Sequence, residues 1–127
     1  MDTSFKKLDW HYETLPQKTK KSLDFLSKEK WLKKSGWYLA GGTALAIQVG
    51  NRKSLDLDFF TEKKDFNEKK LLAYFADNKN WITEIEDKNT IYGKLLGVKV
   101  SFIAYPFFIP KQKMNYHGEI PVMNPID

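Results

Sequence analysis

The stretch that decides the fold, residues 37–60, is WYLAGGTALAIQVGNRKSLDLDFF. Its first four residues are apolar and typical of a short buried strand, and a glycine pair follows them. Residues 43–49 are small or apolar and predict a short buried helix that ends at Gly50. Residues 55–60 alternate apolar side chains with aspartates, which indicates a second strand. The stretch therefore predicts the order strand, glycine turn, helix, strand.

The glycine pair, Gly41 and Gly42, lies where the first strand turns into the helix. Backbone N–H groups at a helix N-terminus lack partners and form the positive end of the helix dipole, so they suit a phosphate. Glycine lets that phosphate approach the backbone closely. The hydroxyl of Thr43 can either cap the helix or donate to the phosphate. We therefore predict a phosphate-binding turn at Gly41, Gly42 and Thr43.

Two carboxylates follow on the second strand. Asp56 and Asp58 are two residues apart, so their side chains leave the same face of the strand. Crowded carboxylates repel each other unless a cation lies between them, and Mg²⁺ (or Mn²⁺) prefers oxygen ligands, substrate phosphates included. Arg52 and Ser54 lie just before this pair, and an arginine could hold a triphosphate through a two-pronged contact. A phosphate-binding turn beside paired carboxylates predicts metal-assisted phosphoryl or nucleotidyl transfer.

The remaining sequence predicts one α+β (α/β) domain with a mixed β-sheet and packed helices. We expect an N-terminal helical segment at about 1–35, a core at about 36–105 and a C-terminal tail at 106–127. Within these parts, the predicted elements are an amphipathic helix over 16–33, a helix with Asn67 as its N-cap, a three-strand meander at 81–86, 90–96 and 98–105, and an edge strand over 119–122.

Composition excludes several classes of protein. The chain has 127 residues and no cysteine, so disulfide scaffolds, thiolate zinc sites and cysteine nucleophiles are excluded. The longest uncharged apolar run, residues 102–110, is far shorter than the ~20 residues that span a bilayer, and we expect a cytoplasmic protein without membrane contact. The net charge is +5, and 20 of the 21 basic residues are lysine. A solvated lysine surface explains this charge, although nucleic-acid binding by the helix over 16–33 is an alternative.

Residues 38–46 and 52–61 resemble the AbiEii/AbiGii toxin family of nucleotidyltransferases, within the superfamily that includes DNA polymerase β. Residues 97–102 and 105–107 also resemble that family, so the resemblance runs from about Trp37 to Tyr105. It implies a polymerase-β-like fold, the use of NTP and Mg²⁺, and transfer of a nucleotide to an acceptor such as tRNA or a protein. Some members are toxins that have a cognate antitoxin.

The resemblance also implies roles for single residues. Asp56 and Asp58 would be the catalytic, metal-binding pair. The β- and γ-phosphates of the NTP would lie at Gly41, Gly42 and Thr43, with Arg52 or Ser54 assisting.

Two departures from the family pattern keep an alternative open. Many relatives carry a third carboxylate on a later strand, but the strand over 98–105 has no acid, and Ser101 stands about where one is expected. Glu84 or Glu86 could replace it, although we expect both to be solvated. Relatives also continue with a helical part, which we would expect to begin near Asp127. The alternative is a catalytically incomplete module that binds nucleotide, RNA or a protein partner.

Overall fold

A computed structural model describes residues 10–50 and 55–127 of the chain. In chain order its elements are α1 (Gln17–Leu26), β1 (Trp37–Ala40), α2 (Gly41–Val49), β2 (Leu57–Thr61), α3 (Glu68–Ala73), β3 (Trp81–Asp87), β4 (Thr90–Leu95), β5 (Val98–Ala104), β6 (Asn115–His117) and β7 (Ile120–Val122). Single 3₁₀ turns occur at Tyr12–Thr14 and Lys30–Leu32.

The strands form one seven-stranded sheet in the order β3-β4-β5-β2-β1-β7-β6. β2 pairs with β5 in parallel, and β1 pairs with β7 in parallel. The other neighbours are antiparallel. The sheet is therefore mixed and carries helices, which confirms the predicted α+β class.

The hydrophobic core lies on one face of the sheet. Along β2 the burial alternates, with Leu57 and Phe59 fully buried and Asp58 only half-buried. Phe59 stacks on Phe102 of β5 at a centroid distance of 5.1 Å. Because side chains alternate along a strand, the polar residues between these core positions, such as Asp58, point to the opposite face. The core face thus holds the strand in place while the other face remains available for chemistry.

Two predicted local features are confirmed. The strand over 37–40 has the predicted bounds, and all four of its residues are buried. Asn67 is the N-cap of α3, and its Oδ1 accepts a hydrogen bond from the backbone N–H of Lys70 at 3.0 Å. Among the residues described, no helix has the length and apolar character needed to cross a membrane.

The predicted helix over 16–33 is wrong beyond Leu26, where α1 ends. The hydroxyl of Ser27 donates to the carbonyl of Asp24, and the carbonyl of Ser27 accepts the backbone N–H of Glu119 at 2.8 Å. The carbonyl of Ser27 thus bonds to a distant segment instead of extending the hydrogen-bond ladder of α1. The chain instead forms the 3₁₀ turn Lys30–Leu32.

The predicted edge strand over 119–122 is also wrong in its position. β7 lies inside the sheet between β1 and β6, and all three of its residues are buried. The backbone N–H of Met123 donates to the carbonyl of Leu39 at 2.9 Å, and Gln48 of α2 donates to the carbonyl of Met123 at 2.8 Å. The edge position belongs to β6, a short polar strand that was not predicted. Residues 106–127 therefore contribute two strands to the sheet.

Candidate active site

The strand β1 passes directly into α2, without separate turn residues between them. Gly41 is the first residue of the helix and has a φ of +70°, in the left-handed region that favours glycine. Ala40 is the N-cap residue, and its methyl group cannot accept a hydrogen bond. The N-cap residue of α2 therefore provides no side-chain cap, and the N-terminus of a helix is a position that suits an anion.

Gly41 also lies against the carboxylate of Asp58. A Cβ atom added at Gly41 would be only 3.1 Å from Oδ2 of Asp58. The antiparallel pairing of β1 with β2 causes this approach, because it places Ala40 opposite Asp58. The predicted phosphate-binding turn and one of the two predicted carboxylates are thus neighbours in space.

Thr43 is fully buried, and its hydroxyl donates to the backbone carbonyl of Asp56. This hydrogen bond is directed away from the helix backbone and toward the strand side of the turn. Instead, Thr43 attaches the first turn of α2 to the residue that enters β2. This contact fixes the distance between the glycine turn and the carboxylate pair.

Asp56 and Asp58 line one cavity of about 280 Å³, as expected for residues two apart on a strand. Asp56 is exposed just before β2, and Asp58 is half-buried within it. The hydroxyl of Ser101 donates to Oδ1 of Asp58 at 2.8 Å. Arg52 and Ser54, the two residues predicted to assist phosphate binding, lie outside the described residues.

Comparison with known protein families identifies the family of this chain. The family model described as "Nucleotidyl transferase AbiEii toxin, Type IV TA system" matches residues 24–103, which include the glycine turn, both aspartates and Ser101. The chain belongs to the AbiEii family. The resemblance drawn from the two motifs is therefore confirmed, and AbiEii proteins are nucleotidyltransferase toxins of type IV toxin–antitoxin systems.

Two relatives of this AbiEii-family chain extend the comparison. The uncharacterized protein aq_aa25 of Aquifex aeolicus is 37% identical over 78 residues, which cover 56% of this chain and 35% of the relative. A crystal structure from H. pylori, described as that of a candidate nucleotidyltransferase, has a TM-score of 0.52 at 18% identity. That match covers 86% of this chain and 55% of the other and supports the same fold. The chain thus spans about a third of the curated relative and about half of the solved one.

The strand position at which the resemblance leads us to expect a third carboxylate carries a hydroxyl in this AbiEii-family chain. Ser101 lies directly opposite Asp58 in the parallel pairing of β2 with β5, at the position where the motif comparison expected an acid. It is buried, with 5% of its surface exposed. Among the described residues, no group of three acidic or histidine side chains is close enough to hold a metal ion. Glu84 also lines the cavity, but within the described residues it does not complete such a group with Asp56 and Asp58.

Sequence reasoning did not place Lys99 or Tyr92 at the site and named Glu84 only as a substitute acid that we expected to be solvated, yet all three line the cavity of Asp56 and Asp58. The pairing of β3 with β4 shifts between Thr83 and Ile85, and Glu84 lies at this irregularity. Such a bulge breaks the alternation of side chains, so a strand pattern could not have placed Glu84.

Glu86 lies elsewhere. Its Oε2 is 2.8 Å from Nζ of Lys69 and it does not line the cavity. Glu84 has a cationic partner of its own, with Nζ of Lys94 3.6 Å away. Both glutamates are exposed, as expected from the sequence.

The donor set at the cavity suits a hard divalent cation. Within the described residues, neither Asp56 nor Asp58 forms an ion pair with a lysine or histidine. Mg²⁺ binds proteins through one or two carboxylates and takes its remaining ligands from water and substrate phosphates. Two carboxylates beside the N-terminus of α2 therefore fit a magnesium ion together with a triphosphate.

Proposed function

We propose that this AbiEii-family domain transfers a nucleoside monophosphate from an NTP to a hydroxyl group of an acceptor. The observation that carries the proposal is the close approach of Gly41 to Asp58, with 3.1 Å between the position of a Cβ at Gly41 and Oδ2 of Asp58. Phosphate-binding backbone groups and a metal-binding carboxylate must be adjacent for nucleotidyl transfer, because both hold the same triphosphate.

The residues take separate roles in this proposal. The N–H groups of Gly41, Gly42 and Thr43 hold the β- and γ-phosphates, with Arg52 or Ser54 assisting. Asp56 and Asp58 hold Mg²⁺ (or Mn²⁺), which when bound neutralises charge on the phosphates. Ser101 fixes the carboxylate of Asp58 through its hydrogen bond.

In the reaction, the oxygen of the acceptor hydroxyl attacks the α-phosphorus of the NTP in line with the leaving group. A new bond forms between that oxygen and the phosphorus, and the bond to the bridging oxygen breaks and releases pyrophosphate. The acceptor hydroxyl gives up its proton to water. The chain positions the reacting groups and neutralises charge, which are the main sources of rate in phosphoryl-type transfers.

The acceptor and the biological role follow from the family only as proposals. We propose tRNA or a protein as the acceptor, a role as the toxin of a toxin–antitoxin or phage-defence system, a cognate antitoxin as a partner, and action in the bacterial cytoplasm. Type IV toxin–antitoxin membership supports the antitoxin and the NTP.

The test is incorporation of each α-labelled NTP into total tRNA and into total protein in the presence of Mg²⁺. We expect wild type to label one acceptor pool and Asp58→Asn to label it at least 100-fold less, because the amide cannot neutralise a cation. Asp77→Asn is the matched control, because Asp77 is an exposed carboxylate outside the cavity. Equal labelling by wild type and Asp58→Asn would show that the catalytic assignment is wrong.

A second candidate is a nucleotide-binding module that does not turn over. The observation that favours it is the hydroxyl of Ser101 at the position of the third acid. Calorimetric titration with NTP and Mg²⁺ distinguishes this module from a nucleotidyltransferase. Binding that depends on Asp58, without transfer to either acceptor pool, would favour the module.

A further inference from the structure

A second cavity, of about 480 Å³, lies between the start of β1, the loop before α3 and α3 itself. Trp37 lines it, and the β1–β2 pairing places Trp37 opposite Thr61, three positions from the Ala40–Asp58 pair. Trp37 also belongs to the core face of the sheet, whereas Asp58 faces the other side. Trp37 and Asp58 are thus about 10 Å apart along the strands and on opposite faces of the sheet. We refer to this second cavity as the rear pocket.

Aromatic rings form the walls of the rear pocket. Trp31 stacks on Tyr74 at a centroid distance of 4.3 Å and an interplanar angle of 4°. Trp37 and Phe66 meet edge to face at 4.8 Å. Tyr74 remains 45% exposed, so part of this surface is open to a ligand. Flat aromatic walls are suited to a planar ring that stacks between or upon them.

Three lysines, Lys34, Lys63 and Lys70, also line the rear pocket, and all are exposed. Nζ of Lys63 donates to the backbone carbonyl of Ser35 at 3.2 Å, which holds its ammonium group at the rim. Within residues 10–50 and 55–127, none of the three forms an ion pair with a carboxylate.

Other lysines of the described residues do have carboxylate partners. Lys20, Lys69 and Lys94 each lie within 4 Å of an acid. One acidic residue, Asp65, lines the rear pocket, so its lining carries two more positive than negative charges. A ligand with at least two negative charges would balance this excess of positive charge.

We propose that the rear pocket binds a nucleotide, either free or as one unit of an RNA strand. A nucleobase supplies the planar ring that the aromatic walls accommodate, and its phosphate supplies the negative charge that the lysines attract. A volume of about 480 Å³ falls within the range of pockets that enclose small ligands. The site is distinct from the proposed NTP site and does not depend on it.

The experiment follows tryptophan fluorescence of the full chain, since Trp31 and Trp37 are in the pocket walls. The probes are the four nucleoside monophosphates and a ten-nucleotide single-stranded RNA. We expect quenching on binding, with an affinity that falls as salt is raised. If the RNA binds at least 100-fold more tightly than the mononucleotides, the ligand is an RNA strand. If the RNA and the mononucleotides bind with comparable affinities, the ligand is a free nucleotide.

Charge and wall variants locate the binding. Lys63→Glu and Lys70→Glu should weaken nucleotide binding at least tenfold. The control is Lys79→Glu, which removes a positive charge at an exposed lysine outside the pocket and should change the affinity less than twofold. Tyr74→Ala should weaken binding, and Tyr74→Phe should retain it, because only the ring is needed for stacking. Circular dichroism checks that each variant is folded.

Three results would overturn the proposal. The first is no quenching by millimolar mononucleotide or micromolar RNA. The second is an equal loss for Lys79→Glu and the pocket variants, which would mean unspecific attraction. The third is loss of binding in Asp58→Asn with retention in Tyr74→Ala, which would assign the signal to the proposed NTP site.

Discussion

Ser101 donates a 2.8 Å hydrogen bond to Oδ1 of Asp58 from the neighbouring parallel strand. The other oxygen, Oδ2, is the one that Gly41 approaches. One oxygen of the Asp58 carboxylate is thus held by a hydrogen bond from β5, and the other lies beside the backbone at the start of α2. The hydrogen bond from Ser101 favours one orientation of this carboxylate before any ligand binds.

Removing the hydroxyl of Ser101 should impair transfer without unfolding the chain. Ser101→Ala leaves Asp58 without this donor, and we expect transfer to fall about tenfold, since hydrogen bonds to charged groups contribute about 1.5–3 kcal/mol. Ser101→Thr keeps the hydroxyl and should retain most activity. Steady-state labelling and thermal unfolding measure the two effects separately. Loss of activity in Ser101→Thr equal to that in Ser101→Ala would exclude this positioning role.

Replacing Ser101 with aspartate should place a third carboxylate beside Asp58. Without metal, the new carboxylate would repel Asp58, so Ser101→Asp should unfold at a lower temperature than wild type. Mg²⁺ or Mn²⁺ should raise the unfolding temperature of Ser101→Asp more than that of wild type, because only a bound cation relieves the repulsion. An equal effect of the cation on both proteins would mean that position 101 is not part of the metal site.

Gly41→Ala should damage the site beyond its effect on stability. The φ of +70° disfavours any side chain, and a Cβ would lie 3.1 Å from Oδ2 of Asp58. The matched control is Gly97→Ala, because Gly97 has a φ of +80° and its Cβ would meet only the flexible end of Lys18. We expect both variants to lose about 1–2 kcal/mol in urea unfolding. Only Gly41→Ala should lose nucleotide transfer, and equal activities would contradict the proposed contact.

Much of the site could be predicted because its determinants are local. The glycine pair and the two aspartates lie within one short stretch, and backbone geometry alone sets the faces of α2 and β2. The N-cap Asn67 and the four-residue strand β1 are also decided by neighbouring residues, and both occur where they were predicted.

Features that depend on distant partners could not be predicted. α1 ends early because the backbone N–H of Glu119 binds the carbonyl of Ser27, and β7 lies inside the sheet because Val122 pairs with Leu39. Glu84 reaches the cavity only through an irregular pairing of β3 with β4. The local sequence around these residues does not show which distant segment each of them will contact.

Gly93→Ala should destabilise the sheet strongly. A Cβ at Gly93 would lie 2.4 Å from the ring of Trp81, which stacks on Phe75 at 4.2 Å, and 2.8 Å from the backbone carbonyl of Ile82. Overpacking of this kind costs about 1–3 kcal/mol. Urea unfolding of Gly93→Ala, Trp81→Ala and the double variant measures the coupling between the two positions. Additive losses would show that the ring does not occupy the space above Gly93.

His117 should make stability depend on pH. Tyr12 Oη lies 2.6 Å from its Nδ1, and burial lowers the pKa of His117 below 6.5, an effect that the carboxylate of Asp24 at 3.4 Å only partly offsets and that Lys20 reinforces. The unfolded chain therefore takes up the proton at a higher pH than the folded chain does. The contribution of His117 to the free energy of unfolding should be constant above about pH 6.5 and should fall as the pH drops below that value.

The variant His117→Gln cannot be protonated in this range. Urea unfolding at pH 7.5 and 5.5 should show a smaller loss of stability for His117→Gln than for wild type. Identical losses in the two proteins would mean that His117 does not contribute to the pH dependence.

The parallel pairing of Leu39 with Val122 has a consequence for synthesis on the ribosome. β1 can pair with β2 soon after it emerges, but its other edge stays open until the chain has been translated past residue 122. An open strand edge is a template for pairing with other chains. The nascent chain thus passes through a stage in which one edge of β1, the strand that leads to Gly41, is open. Slow translation of residues 106–122 should therefore prolong the stage in which β1 can pair with another chain.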